Sequence, residues 1–230
     1  MENWLILETS GRVGQVGLAC NGAVVTVCRL DDRRRHARDL AATVEQVLQS
    51  YSVAPAKVTG VLVGRGPGSY TGLRVGIISA KAFAYATGCH LIAIDTFAAI
   101  AEQAPAEAEQ LWVIADALQG QMYLQPFARQ GTVWLAQDEL RIVPAERWLP
   151  SAPPGIYLSG PGVAVYAHLI PSECMLVPQP NREPWVQSLF AVGRRFSPLT
   201  RAELFALEPL YLRGSSAEEK AKCEGRSLPS

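Results

Sequence analysis

The sequence predicts an α/β protein of two similar lobes, each built in the order strand, strand, strand, helix, strand, helix. Three observations predict this fold class. The chain opens with strand-like runs, two of them joined by the hairpin dipeptide Asn21-Gly22. A β-branched run over residues 58–63 leads through a glycine turn into a helix. The run over residues 156–162 repeats this order of strand, Gly-Pro-Gly and helix, which indicates an internal duplication.

In the first half, apolar spacing and capping residues define the elements. The helix over residues 33–50 has apolar side chains at helical spacing, which predicts one face against a sheet. The next helix begins after Ser69 or Thr71, either of which can cap it, and it ends at Gly88. The expected elements are strands over residues 4–8, 13–20, 23–30, 58–63 and 90–94, and helices over residues 33–50, 71–87 and from residue 96 onward.

The second half begins again with strand-like runs and ends in two helices. We expect a first lobe over residues 1–104 and a reduced second lobe over residues 105–213. The polar tail over residues 214–230 is expected to be disordered, because it has few apolar side chains to bury. The expected elements of this half are strands over residues 111–115, 122–127 and 132–136 and from residue 156, and helices near residues 146–149, 185–195 and 201–207.

The composition is that of a globular protein without a charge surplus. Of 230 residues, 49% are hydrophobic and 18% are charged, and the formal net charge is zero. A protein that holds nucleic acid by itself usually carries a basic surplus. The chain has one arginine cluster, diluted by three aspartates, which is either a solvated helix start or a binding patch. Its members are Arg29, Arg33, Arg34, Arg35 and Arg38.

Neither the cysteines nor the histidines have the spacing of a metal site. The chain has five cysteines and no C-x-x-C pair. A two-residue hairpin turn sets Cys20 opposite Ala23 and Cys28 opposite Gln15, so these two cysteines are not expected to pair. His36 is followed at helical ligand spacing by an apolar residue. We therefore expect no metal and no cofactor. With no signal peptide or membrane helix in the sequence, we expect a cytoplasmic protein with reduced thiols.

The most informative motif is the glycine turn with the helix that follows it. A strand, a glycine turn and a helix N-terminus offer backbone N–H groups to an anion. The turn is not a P-loop, because no Gly-Lys-Ser/Thr closes it, and Ser69 stands where the dinucleotide fingerprint needs a third glycine. Small residues then recur every four positions along the helix, so its own sheet, a helix of another chain or a nucleotide must approach closely. This stripe consists of Gly72, Gly76, Ala80 and Ala84.

These residues resemble the signature of a known family. The run Gly64-Arg-Gly-Pro-Gly-Ser-Tyr-Thr-Gly-Leu-Arg-Val-Gly76, followed by Ser79-Ala80-Lys81 and Ala84, is similar to the signature of the TsaB (YeaZ) family. The runs over residues 5–10, 116–123 and 208–213 resemble other landmarks of that family. The resemblance is dense over residues 4–124 and thin over residues 125–205.

The resemblance implies the actin/Hsp70/sugar-kinase fold and a role in making threonylcarbamoyladenosine beside the anticodon of bacterial tRNA. In that family the chain is a non-catalytic partner of its paralogue TsaD, which performs the transfer, and the ATPase TsaE completes the assembly. We accordingly expect binding to TsaD, a homodimer when the chain is alone, and contact with tRNA only through the complex.

Two carboxylates leave a second hypothesis open. In an actin-like fold each lobe has an acidic residue at the end of its first strand, and here these are Glu8 and Asp116. Such carboxylates hold Mg²⁺ or activate a hydroxyl in sugar kinases, or else they cap a turn. The second hypothesis is a small ATP-dependent transferase or kinase-like enzyme. Its candidate nucleotide or phosphate contacts are Glu8, Thr9, Ser10, Gly66, Gly68 and Asp116.

The first hypothesis, a scaffold, needs a partner interface. The helices over residues 33–50 and 71–87 follow strands of one sheet through right-handed crossovers, so they are expected to lie side by side. We expect their faces to form a helical interface with TsaD, or with a second copy in its absence. The residues predicted for this interface are Ala41, Gly72, Arg74, Gly76, Ile78, Ala80, Lys81 and Ala84.

The zero net charge predicts that the isolated protein binds tRNA weakly. We expect a dissociation constant in the non-specific range of about 10⁻⁴ to 10⁻⁶ M at physiological salt, because few phosphates are neutralised. Titration of labelled tRNA at several salt concentrations measures this constant and its salt slope. Sub-micromolar, steeply salt-dependent binding by the isolated chain would contradict the prediction.

Overall fold

The computed structural model describes residues 2–30 and 36–212, and of residues 36–38 the backbone alone. Its strands are β1 (Asn3–Glu8), β2 (Gln15–Cys20), β3 (Ala23–Arg29), β4 (Gly60–Gly66), β5 (His90–Asp95), β6 (Gln110–Asp116), β7 (Gln121–Gln130), β8 (Val133–Ala136), β9 (Arg141–Pro144), β10 (Tyr157–Ser159) and β11 (Met175–Leu176). Its α-helices are α1 (His36–Ser50), α2 (Tyr70–Thr87), α3 (Thr96–Ala101), α4 (Ala145–Trp148), α5 (Gly162–Val165), α6 (Val186–Gly193) and α7 (Arg201–Ala206). Short 3₁₀ turns lie at Pro55–Lys57, Leu149–Ser151, Ala167–Leu169 and Gln179–Arg182.

Two sheets repeat one topology. The first sheet has the order β3-β2-β1-β4-β5, and the second has the order β8-β7-β6-β10-β11 with β9 added beside β7. In each sheet the second strand in chain order is antiparallel to both the first and the third, and the last two strands are parallel to the central first strand. The predicted duplication is therefore a repeat of strand order and direction. The expected two-lobed, actin-like α/β fold is confirmed, with a second lobe whose last strands are short.

Helices cover both faces of the first sheet. On one face Leu5 and Leu7 of β1 pack with α1 and α2, whose buried side chains include Leu40 and Ile77. On the other face Ile6 packs with α6 and α3. This alternation follows from the two-residue period of a strand, which sends successive side chains to opposite faces. Helices α1 and α2 contact each other, as the crossover argument predicts.

The end of the described chain returns to the first sheet. Val186 and Leu189 of α6 pack against Leu62 of β4. Beyond α6, the Leu199 N–H donates to the Leu91 carbonyl of β5 at 2.8 Å. The strands within the predicted second lobe, residues 105–213, form the second sheet. Helices α6 and α7 also lie in that range, but they pack with the first lobe. The tail over residues 214–230 lies outside the described residues.

A β-bulge shifts the pairing of the first hairpin. Cys20 lies opposite Ala23 as expected, but Cys28 lies opposite Val16 and not opposite Gln15. The register shifts at Leu18–Ala19, because β3 contains one extra residue there. Nearby, the Tyr51 hydroxyl donates to the Val25 carbonyl at 2.7 Å. The expected register was wrong by one residue, and the two cysteines are not opposite each other in either register.

Among the residues that the structure describes, none of the helices combines the length and the apolar character that a membrane span requires.

Candidate functional site

The turn after β1 is built on the buried carboxylate of Glu8. Its Oε1 accepts hydrogen bonds from the Ser10 N–H at 2.6 Å and from the Ser10 hydroxyl at 2.5 Å. The Thr96 hydroxyl donates to Ser10 Oγ at 3.2 Å, and the Gly66 N–H donates to Thr96 Oγ1 at 3.2 Å. This hydrogen-bond chain joins the ends of the three parallel strands β1, β4 and β5.

The interior position of Glu8 changes its acidity. The residue is fully buried, and this burial raises the pKa of its carboxyl to about 7, although the hydrogen bonds from Ser10 and Gly11 act in the opposite direction. Its second oxygen, Oε2, is buried and receives no hydrogen bond from the described residues. An unpartnered buried oxygen favours the protonated form, because an unpaired charge is costly to desolvate.

Four glycines enclose the end of β1. A Cβ on Gly64 would lie 2.2 Å from Glu8 Oε2, and one on Gly68 would lie 2.5 Å from the Ser10 carbonyl oxygen. A Cβ on Gly72 would lie 2.0 Å from the Thr9 carbonyl oxygen, and one on Gly76 would lie 2.1 Å from Thr9 Oγ1. These distances are far below van der Waals contact, so a side chain at any of the four positions would have to displace the backbone or a buried side chain.

The small-residue stripe of α2 thus faces its own chain. Gly72 and Gly76 contact Thr9, while Ala80 and Ala84 are buried in the core beneath α2. Of the three explanations that the sequence left open, close packing within the chain accounts for all four residues. They are not on the exposed surface, and a partner cannot reach them without displacing this packing.

Three amides of the glycine turn and of the helix start are used inside the chain. The Gly66 N–H donates to Thr96, the Ser69 N–H donates to the Ser10 carbonyl at 2.8 Å, and the Gly72 N–H donates to Ser69 Oγ at 3.2 Å. Ser69 is the helix cap, as the sequence suggested, and Gly88 ends the helix in the left-handed region at φ 72°. The predicted phosphate-contact residues 8–10, Gly66 and Gly68 do come together: Thr96 links Gly66 to Ser10, and Gly68 lies against Ser10.

Asp116 has the corresponding position in the second lobe and a similar local role. Its Oδ1 accepts a hydrogen bond from the Leu118 N–H at 2.8 Å, as Glu8 accepts one from the residue two positions later. Tyr166 Oη lies 2.7 Å from Asp116 Oδ1 and 2.7 Å from the Gln121 carbonyl oxygen. Burial, together with the neighbouring carboxylate, raises the pKa of Tyr166. Both acidic residues therefore cap the turn after their strand, although Asp116 is exposed and Glu8 is not.

The outer face of α2 is the second candidate site. Arg74, Ile78, Lys81 and Tyr85 recur at the helical spacing i, i+4, i+7 and i+11, on the side away from the glycine stripe. Ile78 is 64% exposed and Tyr85 is 68% exposed, and Ala41 on α1 is exposed as well. The structure thus leaves the predicted interface residues of this face at the surface. Tyr85 was missed, although its helical spacing from Ile78 could have indicated it.

A segment that we name the C-terminal strap, residues 199–212, runs beside this face. Arg74 Nε donates to the Tyr211 hydroxyl at 2.9 Å, and the Tyr211 ring stacks on Tyr70 at 4.8 Å between centroids. Lys81 Nζ donates to the carbonyl oxygens of Phe205 at 2.8 Å and Leu207 at 3.2 Å. Two predicted interface residues therefore bind their own chain. The sequence marked residues 208–213 as a landmark but carried no sign of where they pack.

Other predicted groups are only partly described. The Arg29 guanidinium lies 4.7 Å from the centroid of the Trp185 ring. Arg33, Arg34 and Arg35 lie outside the described residues, as does the side chain of Arg38. Within the described part of the chain, no three His, Cys, Asp or Glu residues are grouped as a metal site would require. Four cysteines there are free thiols.

Comparisons with known proteins agree on one group of relatives. The family model described as TsaD, tRNA N6-adenosine threonylcarbamoyltransferase, matches residues 31–164. An uncharacterized protein of Mycobacterium tuberculosis (strain H37Rv) is 30% identical over 94% of this chain and 90% of its own length. The tRNA threonylcarbamoyladenosine biosynthesis protein TsaB of Haemophilus influenzae is 28% identical over 55% of this chain and 54% of its own length.

Solved structures agree with these relatives. A Pseudomonas aeruginosa protein described as similar to peptidase YeaZ has a TM-score of 0.78 and 25% identity over 93% of this chain and all of its own. The structure of YeaZ from Pseudomonas aeruginosa has a TM-score of 0.75 and 23% identity over 92% of this chain and all of its own. The second similarity supports the fold alone.

The contact between Gly72 and Thr9 predicts the effect of one added methyl group. Alanine normally favours a helix interior by about 1 kcal/mol over glycine. Here we expect Gly72→Ala to lower the free energy of unfolding by about 2 kcal/mol, because the backbone at Thr9 must move. Urea unfolding of the purified protein measures this change. Ser79→Ala on the same helix is the control and should cause no loss. A stabilised Gly72→Ala protein would contradict the described packing.

The raised pKa of Glu8 predicts a pH dependence of stability. The folded state retains the Glu8 proton up to about pH 7, whereas an unfolded glutamate releases it near 4.5. Because the folded state binds more protons between these values, the free energy of unfolding should fall as pH rises through them, by up to about 3 kcal/mol.

Unfolding of Glu8→Gln and wild type near pH 5 and near pH 8 tests this effect. Glutamine does not titrate, so the stability of the variant relative to wild type should increase from the lower to the higher pH. The exposed Glu107→Gln variant is the control and should follow wild type. Parallel pH profiles for wild type and Glu8→Gln would show that Glu8 is ionised in the folded protein.

Proposed function

Because the chain belongs to the TsaB (YeaZ) family, related to the TsaD transferases whose family model it matches, we propose that it acts in the biosynthesis of threonylcarbamoyladenosine in tRNA. Its proposed role is that of a non-catalytic scaffold and activator that pairs with TsaD, with TsaE joining the assembled complex. The observation that carries this proposal is the contrast between the two faces of α2, one packed inside the chain and the other exposed.

The chemistry of the glycine turn supports a non-catalytic role. A small ATP-dependent transferase or kinase-like enzyme would need Glu8 and Asp116 at a ligand. Glu8 is buried beneath Gly64. The amides of Gly66 and Ser69 donate to Thr96 Oγ1 and to the Ser10 carbonyl. A phosphate at this turn would have to displace those hydrogen bonds. The same residues instead hold the ends of β1, β4 and β5 against the start of α2.

The docking surface that we propose is the outer face of α1 and α2. It includes the exposed Ala41, together with Arg74, Ile78, Lys81 and Tyr85. The inner face of α2 is packed on its own chain. Exposed apolar side chains on the outer face of such a helix are suited to pack against a helix of another protein. TsaD is the proposed occupant, and a second copy of this chain takes its place when TsaD is absent.

The proposed contact with tRNA runs through the complex. The net charge of zero gives the chain few means to neutralise a phosphate backbone by itself. The complex is proposed to work in the cytoplasm, where tRNA modification takes place.

Ile78→Glu tests the docking surface. Ile78 is 64% exposed, so the variant should fold normally, while a buried unpaired carboxylate at the interface should weaken binding to TsaD at least tenfold, or about 1.4 kcal/mol. Calorimetric titration of TsaD into the full-length chain measures the affinity. Val165→Glu, at an exposed apolar position of the second lobe, is the matched control and should bind as wild type does. Unchanged affinity in Ile78→Glu would exclude this face as the TsaD site.

A further inference from the structure

The C-terminal strap lies along the proposed docking face and adds an aromatic side chain to it. We infer that Phe205 of the strap is part of the surface that binds TsaD, so that the docking site is made of α2 and the strap together. This inference rests on the proposed function. It goes beyond it, because it assigns the site a second segment and a chemistry for its partner.

The strap follows α2 over most of the helix length. Phe205 lies beside Tyr85, with ring centroids 6.1 Å apart, and Tyr211 lies against Tyr70 near the other end of the helix. The helix rises about 22 Å between those two tyrosines. The strap meets Tyr85 first, at residue 205, and Tyr70 last, at residue 211. It therefore runs antiparallel to α2.

Bonds at both ends and in the middle hold the strap in place. The Leu199 N–H donates to the Leu91 carbonyl, and the Leu210 N–H donates to the Arg65 carbonyl at 2.8 Å. Thr200 and Glu203 form a capping box at the start of α7. Lys81 binds the carbonyl oxygens at the other end of α7, where a cation is favoured by the helix dipole. These hydrogen bonds hold the strap beside the outer face of α2.

The side chains left exposed define the chemistry of the partner. Ile78, Tyr85 and Phe205 are 64%, 68% and 55% exposed; the rings of Tyr85 and Phe205 are in contact, and Ile78 lies about two helical turns from Tyr85 on the same face of α2. Lys81 lies between them, and the Arg201 guanidinium lies 6.0 Å from the centroid of the Phe205 ring. We therefore expect the TsaD surface that binds here to be a helix face with an apolar centre and carboxylates toward the Phe205 end.

The test compares two exposed phenylalanines. Phe205 is 55% exposed on the strap, and Phe196 is 54% exposed but lies beside Trp4 and Ile92 on another surface. Phe205→Ala, Phe196→Ala and Ile78→Glu are made in the full-length chain and titrated with TsaD. We expect Phe205→Ala to weaken binding about tenfold, and Phe196→Ala to stay within about twofold of wild type. Thermal unfolding controls for the fold of each variant.

The outcomes separate the inference from the function on which it rests. If Ile78→Glu loses binding while Phe205→Ala binds as wild type does, the strap is not part of the site and the proposed function stands. If neither substitution weakens binding, TsaD binds elsewhere on the chain, so the inference and the proposed docking face fail while the pairing itself stands; if wild type does not bind TsaD, the proposed function fails. Sedimentation of each variant alone measures self-association. A Phe205→Ala effect on self-association only would make a second copy the occupant and overturn the inference.

Discussion

The position of α2 depends on the close contact between the end of β1 and four glycines spaced four residues apart. Residues 8–10 lie so near Gly64, Gly68, Gly72 and Gly76 that no position tolerates a Cβ without movement of backbone or of a buried side chain. This contact fixes the distance of α2 from the sheet and its rotation about its own axis. Because a helix side chain has a direction set by that rotation, the same contact determines which residues of α2 face outward.

The two lobes use a similar contact with a different result. In the second lobe Gly160 and Gly162 pack against the backbone of Ile114 and Ala115 at the end of β6, as the first glycine turn packs against the end of β1. The carboxylates that follow differ, because Glu8 is buried with one unpartnered oxygen and Asp116 is exposed. A pair of catalytic carboxylates would have to face a shared ligand. The two lobes instead share the turn after their first strand, and only the first lobe buries its carboxylate, which lies beneath Gly64.

Local features of the fold were predictable, whereas long-range contacts were not. The Ser69 cap, the Gly88 end of α2 and the duplicated strand–turn–helix unit follow from residue types at short spacing. The bulge at Leu18–Ala19 and the return of α6 to the first sheet depend on packing across the chain. For the predicted interface, the sequence grouped the outer residues of α2 with the inner stripe. The sequence alone does not give the rotation of α2 about its own axis, so it could not distinguish the outer residues from the inner ones.

The two faces of α2 serve the fold on the inner side and, as we propose, a partner on the outer side. With 3.6 residues per turn, the stripe from Gly72 to Ala84 and the outer row from Arg74 to Tyr85 lie on opposite sides. On the inner side, Gly72 and Gly76 lie directly against Thr9. These contacts also hold the helix rigid. A rigid helix loses little conformational freedom on docking, so less binding free energy is spent on ordering it. The strap has the same effect on the proposed docking face, since hydrogen bonds within the chain order Lys81 and Tyr211. The glycines that cost helix stability in isolation therefore favour the docking that we propose for the opposite face.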